Sequence, residues 1–259
     1  MGERTNYTPG TFCWTDLTTT DQGAAKAFYS GLFGWKAEDL PVGEGFVYSM
    51  MRLNGKDVAA ISPQPRQQRE AGIPPAWNSY VAVESADAVA DRASELGATV
   101  HAPPFDVLES GRMAVIQDPQ GAFFMPWQAR QHSGAKLVNA PGALAWNELA
   151  SPDLDASSAL YSELFAWTLE PFEGSPGTYL VIRNGDSGNG GFREVNQGEP
   201  PNWSVYFGTE DIDDGLAKVE ELGGEKLMPE PVDIGVAKIG IVRDPQGAFF
   251  TLYDGQFAP

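Results

Sequence analysis

The sequence contains one cysteine and two histidines in 259 residues, and both scarcities limit the chemistry that it can carry. The single thiol, Cys13, excludes an internal disulfide, which is typical of proteins from a reducing cytoplasm. No P-loop, GxGxxG, GxSxG or CxxC motif is present. Phosphate-cradling, dinucleotide, serine-hydrolase and dithiol chemistry therefore have no support.

Basic residues are also scarce, since 17 Lys and Arg stand against 35 Asp and Glu, for a formal net charge of −18. A surface of that sign repels phosphate backbones and anionic lipids, so we expect neither nucleic acid nor membrane as a partner. No apolar run approaches the length of a membrane span, and the first residues lack the apolar core of a signal peptide. These features predict a cytoplasmic globular protein.

An internal repeat is the most informative feature that is present. The heptapeptide DPQGAFF occurs twice, beginning at Asp118 and at Asp244. CWTDLTTTD matches AWNELASPD, and KAFYSGLFGW matches SALYSELFAW, in the same order in both halves. This order indicates a duplication. We predict a first domain at residues 1–128, a linker at 129–142 and a second domain at 143–259.

Each half is predicted to be an α+β domain built from two βαβββ units. In the first half, an alternating strand at 11–18 leads into a helix that is capped by Thr20 or Asp21 and ended by Gly34. An Asn-Gly pair supplies the turn between the next two strands. The remaining strands are expected at 46–53, 58–61, 79–83, 100–107, 112–117 and 122–128, with a second helix at 86–96. The DPQGAFF segments are interpreted as tight turns that serve the architecture.

This arrangement of motifs resembles a known superfamily. A strand that ends in Asp, a helix that closes on LFGW and a DPxG turn into the last strand are similar to the vicinal oxygen chelate proteins. That superfamily includes glyoxalases, bleomycin resistance proteins and extradiol dioxygenases. The resemblance covers nearly the whole chain and is strongest to two-domain bacterial members labelled hydroxylases, some of which accompany aromatic polyketide pathways. It implies tandem glyoxalase-like domains, each curling a mixed β-sheet into an open cup for the ligand.

Metal-using members of the superfamily take ligands, typically His, His and Glu, from the first, fifth and last strands. The matching positions here are Trp14, Asn78 and Met125 in the first half and Trp146, Ser204 and Thr251 in the second. None of these side chains is the imidazole, thiolate or carboxylate that a divalent transition metal prefers. His101 and His132 lack partner ligands at suitable spacing and are interpreted as surface or structural residues. We predict no metal and no cofactor.

Strand parity predicts which side chains face each cup, because residues two apart share a face. The predicted lining is Phe12, Trp14, Asp16, Asn78, Tyr80, Ala82, Phe123, Met125 and Trp127 in the first cup, and Leu144, Trp146, Glu148, Ser204, Tyr206, Gly208, Phe249, Thr251 and Tyr253 in the second. Aromatic walls with a few polar groups suit a flat conjugated ligand, whereas the alternative is a collapsed cup filled as ordinary core.

The candidate ligand-binding residues within that lining are Trp14, Asn78, Tyr80, Met125, Trp127, Trp146, Ser204, Tyr206, Thr251 and Tyr253. The smaller Ser204 and Thr251 predict that the second cup is the roomier one and holds the ligand. Asp16 and Glu148 are equivalent carboxylates two residues beyond the lost ligand position. Either they are solvated or paired with arginine, or they are buried for acid–base work or for holding a cationic amino group.

The sequence therefore predicts a metal-independent protein that binds a small aromatic natural product, for resistance, sequestration or delivery to a partner tailoring enzyme. One alternative is a cofactor-free tailoring enzyme of hydroxylase or isomerase type, with Asp16 or Glu148 as the catalytic base. A second alternative, a glyoxalase-like metalloenzyme, is disfavoured by the missing ligands.

Overall fold

A computed structural model describes residues 2–43, 45–174 and 177–257 of the chain. The elements of the first half are β1 (Gly2–Glu3), β2 (Phe12–Thr19), α1 (Gln22–Phe33), β3 (Lys36–Pro41), β4 (Val47–Leu53), β5 (Lys56–Pro63), α2 (Arg66–Glu70), β6 (Ala76–Ala82), α3 (Ala86–Glu95), β7 (Thr99–Val107), β8 (Gly111–Gln117) and β9 (Phe123–Ala129).

The elements that follow are β10 (Leu137–Val138), β11 (Leu144–Ser151), α4 (Leu154–Phe165), β12 (Thr168–Pro171), β13 (Tyr179–Asn184), β14 (Ser187–Glu194), β15 (Asn202–Gly208), α5 (Ile212–Glu221), β16 (Glu225–Lys226), β17 (Val232–Asp233), β18 (Ala237–Arg243) and β19 (Phe249–Gly255). In the part of the chain that is described, no helix is long and apolar enough to cross a membrane.

Two large mixed sheets confirm the predicted α+β class. The first sheet has the strand order β3-β4-β5-β2-β6-β9-β8-β7, and the second has β12-β13-β14-β11-β15-β19-β18-β16, with β17 paired to β18. In each sheet the central antiparallel pair, β2 with β6 or β11 with β15, joins the two βαβββ units. All the described strands of each large sheet come from one half, so the halves do not exchange these strands.

Local sequence signals correctly predicted the first helix and the turn between β4 and β5. Asp21 rather than Thr20 is the N-cap of α1, because its Oδ1 accepts a hydrogen bond from the backbone N–H of Ala24 at 2.9 Å. Gly34 ends the helix with a φ of 71°, in the left-handed region. The Asn54-Gly55 turn has a positive φ at both residues, as the tight turn of a β-hairpin requires.

Three short elements of the structure were not predicted from the sequence. Strand β3, which completes the first βαβββ unit, is exposed along its whole length at the edge of the sheet and so shows no apolar alternation. Helix α2 lies in the segment expected to be only a connection. Strand β10 lies within the predicted linker and pairs with β1, a partner more than a hundred residues away.

A β-bulge changes which side chains face the first cup. Phe12 is opposite Val81 and Trp14 is opposite Tyr80, so Cys13 is an extra residue on β2. Directly paired residues point to the same face of a sheet, and Val81 lies on the face opposite to Tyr80. Phe12 therefore points away from the cup, and the prediction that it lines the cup is wrong.

Phe12 instead packs on the back of its sheet, in the core between the two halves. The ring of Phe12 lies 5.4 Å from that of Trp167 and 4.9 Å from that of Trp203, both in the second half. The equivalent register shift on β11 places Leu144 opposite Phe207. Leu144 therefore also leaves the predicted cup lining, for the same physical reason.

The DPQGAFF turns join the two halves as well as shaping each one. Oδ1 of Asp118 accepts a hydrogen bond from the backbone N–H of Gly121 at 2.7 Å, which closes the turn, and Oδ2 accepts one from the hydroxyl of Tyr161 at 2.9 Å. Reciprocally, the hydroxyl of Tyr29 donates to Oδ2 of Asp244 at 3.0 Å. These buried bonds make the turn of each half part of the core of the other.

Candidate functional site

Five candidate residues of the first cup lie in two neighbouring rows across the sheet. Trp14 on β2 is opposite Tyr80 on β6, which is opposite Met125 on β9. Asp16 and Asn78 form the next row along the same two strands. The tertiary structure thus brings these candidates together on one face, although Asn78 is one row away from Trp14 and Met125.

The second cup repeats this arrangement with smaller side chains. Trp146 is opposite Tyr206, which is opposite Thr251, and Glu148 is opposite Ser204 in the next row. Each carboxylate therefore occupies the same position relative to the aromatic row of its own cup. Differences between the cups must arise from the side chains that surround these rows.

Asp16 is buried and contacts only neutral hydrogen-bond donors. Its Oδ1 accepts from Nδ2 of Asn78 at 2.8 Å, and its Oδ2 accepts from the hydroxyls of Tyr80 at 2.9 Å and Tyr48 at 3.0 Å. Tyr48 in turn accepts from Nε1 of Trp14 at 3.0 Å. Burial raises the pKa of Asp16, and the three hydrogen bonds lower it by less, so the net pKa shift is upward. Among the described residues, no cation forms an ion pair with this carboxylate.

Glu148, the equivalent carboxylate, is held by a cation. Nε of Arg193 donates to its Oε1 at 2.7 Å, while the two terminal nitrogens of Arg193 bind Glu199 at 2.8 and 2.6 Å. Burial of Glu199 works against ionisation, but the charge of Arg193 and the hydrogen bonds from Arg193, Asn196 and Asn202 together outweigh it and lower the pKa of Glu199 to about 2. Arg193 lies at the position that Ser62 occupies in the first half. Of the alternatives predicted for the two carboxylates, pairing with arginine therefore applies to Glu148 but not to Asp16.

Tyrosines surround both carboxylates in the same way. In the second cup, Tyr179 and Tyr206 hydrogen-bond to Glu148, and burial raises the pKa of both phenols. Nε1 of Trp146 donates to the hydroxyl of Tyr179 at 2.9 Å, as Trp14 does to Tyr48 in the first cup. Tyr48 and Tyr179 were absent from the predicted lining, because their strands were not included in the parity argument.

The first cup is closed by a residue from the predicted linker. The imidazole of His132 packs edge-on against Trp14, at 4.6 Å between ring centroids, and lies 6.0 Å from Trp127. Nε1 of Trp127 donates to the backbone carbonyl of His132 at 2.9 Å. Trp14 and Trp127 are only 3% and 5% exposed as a result. Burial lowers the pKa of His132 to about 4, so the imidazole is neutral near pH 7.

His132 is partly exposed, but its imidazole packs into the aromatic cup, so of the two predicted interpretations the structural one applies. No sequence signal could have placed it there, because the segment has neither helical nor strand periodicity and its partner Trp14 is distant in sequence. His101, by contrast, is exposed, with Nε2 3.0 Å from Oε1 of Gln117.

The second cup is more accessible to solvent. Trp146, Ser204 and Tyr253 are partly exposed, whereas Thr251 and Tyr206 below them are buried. The second cup therefore exposes more of its aromatic lining to solvent than the first, while the prediction that it is the roomier cup stays a prediction.

Two predicted lining residues lie at the rims rather than inside the cups. Phe123 is 42% exposed and Phe249 is 50% exposed, each at the first position of the last strand of its half. The guanidinium of Arg243 lies 5.7 Å from the ring centroid of Phe249.

The side chains at the expected ligand positions do not fit a divalent transition metal. Trp14 and Asn78 use their nitrogen atoms as hydrogen-bond donors, and the third position in the first cup is the thioether of Met125. The second cup offers an indole and two hydroxyl groups at these positions. Within residues 2–43, 45–174 and 177–257, no group of three or more His, Cys, Asp and Glu could hold a metal ion.

Comparison with known proteins identifies related sequences over nearly the whole chain. The Glyoxalase/Bleomycin resistance protein/Dioxygenase superfamily matches residues 11–125. The chain is 45% identical over 256 residues to the "Putative glyoxylase CFP32" of Mycobacterium tuberculosis, with 97% of each chain covered. It is 33% identical over 264 residues to the anthracycline biosynthesis protein DnrV of Streptomyces peucetius, covering 96% of this chain and 95% of the relative.

Solved structures with the same fold are more distant in sequence. The Mn(II)-bound glyoxalase from Novosphingobium aromaticivorans has a TM-score of 0.67 at 15% identity, over 99% of this chain and 85% of that one. The 2,3-dioxygenase LapB from Pseudomonas sp. KL28 has a TM-score of 0.65 at 14% identity, over 96% and 93% of the two chains. At these identities the likeness concerns the fold alone.

Proposed function

Since this chain belongs to the Glyoxalase/Bleomycin resistance protein/Dioxygenase superfamily, we propose that it binds a planar aromatic natural product, without a metal, in its second cup. The observation that carries this proposal is the partly exposed wall of Trp146 and Tyr253 beside the hydroxyl groups of Ser204 and Thr251. Such a wall gives a flat ligand both a stacking surface and directional polar contacts.

The physical chemistry of this wall favours a conjugated ring system. Each aromatic contact with the ligand would contribute about 0.5–1.5 kcal/mol beyond the area that it buries. The hydroxyl of Ser204 donates to Oδ1 of Asn202 at 2.7 Å, which leaves its lone pairs to accept from a ligand hydroxyl. The name of the relative DnrV, an anthracycline biosynthesis protein, supports a polycyclic aromatic as the ligand class.

Because the side chains at the family's ligand positions do not fit a transition metal, recognition depends on stacking and hydrogen bonds. Binding of this kind would serve resistance, sequestration or delivery of an intermediate to a tailoring enzyme. All three roles require that the ligand is released chemically unchanged.

A calorimetric titration with 2-methoxyanthraquinone, a planar tricyclic probe, tests this proposal. We expect saturable binding, recovery of the probe unchanged by liquid chromatography, and at least about tenfold weaker binding after Trp146→Ala, since about 1.4 kcal/mol is one decade. Phe123→Ala is the matched control, because it removes an exposed aromatic side chain from the rim of the first cup. Equal affinity of the wild type and Trp146→Ala would contradict the proposal.

A second candidate function is a cofactor-free tailoring enzyme, and the environment of Asp16 favours it. A buried carboxyl with a raised pKa and no paired cation is suited to exchange a proton with a hydroxylated substrate. Under this hypothesis, incubation with a polyketide intermediate yields a new product by mass spectrometry. Asp16→Asn would abolish the product and spare binding, whereas Glu148→Gln would leave turnover in the first cup intact.

A further inference from the structure

A cleft of about 490 Å³ lies outside both cups and is open to solvent. It forms where three segments meet, which are residues 3–5, the turn between β4 and β5, and Lys136 directly before β10. The charged residues that line it are Glu3, Arg4, Arg52, Lys56, Asp57 and Lys136. Small-molecule sites usually measure about 300–1,000 Å³, so the cleft has the size of such a site.

The charge of this cleft is opposite in sign to that of the whole chain. Four cations and two carboxylates line it, which gives the lining a net charge of +2, whereas the chain carries −18. Four of the 17 basic residues are therefore gathered at one place. The chain as a whole repels an anion, and an anion is attracted only where basic residues outnumber acidic ones.

Lys136 is a cation of this cleft that forms no ion pair with any described residue. Its Nζ donates to the hydroxyl of Ser133 at 2.8 Å, and that hydroxyl donates to the carbonyl of Thr5 at 2.9 Å. The backbone N–H of Lys136 donates to the carbonyl of Asp57 at 2.7 Å, and its carbonyl accepts from the N–H of Arg4 at 3.0 Å. An ammonium group that is held in this way and lacks a counter-ion can bind an anion with little loss of conformational entropy.

Lys56, the second lysine of the cleft, has a counter-ion that a ligand can displace. Its Nζ lies 2.9 Å from Oε2 of Glu3, and the two side chains are 35% and 59% exposed. Ion pairs as exposed as this one contribute little to stability, so a ligand with a higher charge can take the place of Glu3. Arg52, by contrast, is bound by both Asp57 and Glu38 and forms a wall of the cleft.

We propose that this cleft binds the dianionic phosphate group of a small molecule, with Lys136 and Lys56 as the residues that contact the phosphate. Hydrogen bonds between an ammonium group and phosphate are charge-assisted and are about twice as strong as those between neutral groups. The phosphate replaces the carboxylate of Glu3 beside Lys56, and the charge of Arg4 adds to the attraction. The site is independent of both cups, because it shares no lining residue with them.

Calorimetric titration of the full chain at low salt tests this proposal with inorganic phosphate and with glycerol 2-phosphate, which are both mostly dianionic at about pH 8. Succinate, a dicarboxylate, serves as the comparison anion. We expect saturable binding of a phosphate probe that is at least about tenfold tighter than that of succinate and that weakens as salt is added. Tighter binding of glycerol 2-phosphate would assign the site to a phosphate ester, and tighter binding of inorganic phosphate would assign it to the free ion.

Charge variants locate the site within the chain. Lys136→Met removes the ammonium group, keeps a long side chain, and should weaken phosphate binding by at least about tenfold. Lys238→Met is the matched control, because Lys238 is exposed, forms no ion pair with a described residue and changes the net charge by the same amount. Glu3→Gln removes the competing carboxylate and should tighten binding, whereas the exposed Glu84→Gln should not. The Glu3 variant also covers the case in which Lys136→Met does not fold.

Three results would overturn the phosphate site. They are the absence of saturable phosphate binding to wild type, succinate binding as tight as that of both phosphate probes, and equal phosphate affinity of Lys136→Met and Lys238→Met. Binding to Glu3→Gln that is no tighter than binding to Glu84→Gln would overturn the role of Lys56. Lys136→Met should bind 2-methoxyanthraquinone as wild type does, so failure of the phosphate site is distinguishable from failure of the ligand site in the second cup.

Discussion

The two cups have the same strand order and equivalent rows of residues, yet the electrostatic surroundings of their carboxylates differ. Asp16 is surrounded by neutral donors alone, whereas Glu148 forms an ion pair with Arg193. The difference depends on one position, which is Ser62 in the first half and Arg193 in the second. The duplicated fold therefore keeps the backbone positions of the site, while one side chain changes the charge next to the carboxylate.

The cups differ also in how they are covered. The first is closed by His132, which lies outside the repeated segments, while Trp146 in the second remains partly accessible. The repeat thus determines the walls of each cup, and residues beyond the repeat determine access. Predictions that contrast equivalent residues of the two halves test this distinction directly.

The largest contrast is expected between the equivalent tryptophans. Trp14→Ala removes a fully packed side chain and should lower the free energy of unfolding by about 3–5 kcal/mol. Trp146→Ala removes a partly exposed one and should cost only about 1–2 kcal/mol, because less packing is lost. Urea denaturation of both variants measures the difference, and equal losses would show that the second cup is as tightly packed as the first.

The next contrast is a pH dependence confined to the first cup. The pKa of His132 is lowered from 6.5 to about 4, so its contribution to stability is complete above pH 6.5 and is lost as pH falls toward 4. Linkage gives a loss of about 2 kcal/mol at pH 5 relative to pH 8. His132→Phe should lack this component in urea denaturation at the two pH values. The control His101→Phe should retain it, and an identical pH profile for both variants would refute the assignment.

A smaller contrast is expected between the two carboxylates. Glu148→Gln breaks a largely buried ion pair and should lower the free energy of unfolding by about 1–2 kcal/mol. This loss is smaller than the about 3–5 kcal/mol usual for a broken buried pair, because Arg193 still forms its ion pair with Glu199. Asp16→Asn should cause no loss at neutral pH, because the raised pKa means that folding favours the neutral carboxyl. Thermal denaturation of the two isosteric variants compares them.

The sign of the Asp16 effect can be checked by titration. The pKa of Asp16 is higher in the folded than in the unfolded protein. The contribution of Asp16 to the free energy of unfolding is therefore complete at low pH and is lost as pH rises from 3.8 through the folded pKa. Asp16→Asn should therefore gain stability relative to wild type over that rise. A relative loss would indicate that the hydrogen bonds of Asn78 and the tyrosines outweigh burial.

The smallest expected effect is that of metal removal. Since neither cup offers side chains that fit a transition metal, dialysis against a chelator should leave the melting temperature and probe binding unchanged. Elemental analysis should find far less than one zinc, iron or manganese per cup. A chelator-resistant metal present once per cup would contradict the prediction that the cups hold no transition metal.

Much of the fold was predictable because its signals are local or periodic. The repeat, the helix that Asp21 caps and Gly34 ends, and the Asn54-Gly55 turn can all be recognised over short stretches of sequence. Strand parity correctly grouped Trp14, Tyr80 and Met125 on one face. It failed at Phe12, because one extra residue in a strand reverses the alternation and leaves no mark in composition.

The sequence by itself determined the duplicated architecture and the replacement of the metal-ligand positions, since both depend on which residue stands at which step of a repeated pattern. Only the tertiary structure decided the chemistry within each cup. Arg193 reaches Glu148 across 45 positions of sequence, and His132 reaches Trp14 from a segment with no periodicity. Such contacts depend on the packing of distant strands and a connecting segment, so the charge and the closure of each cup become defined only when the chain is folded.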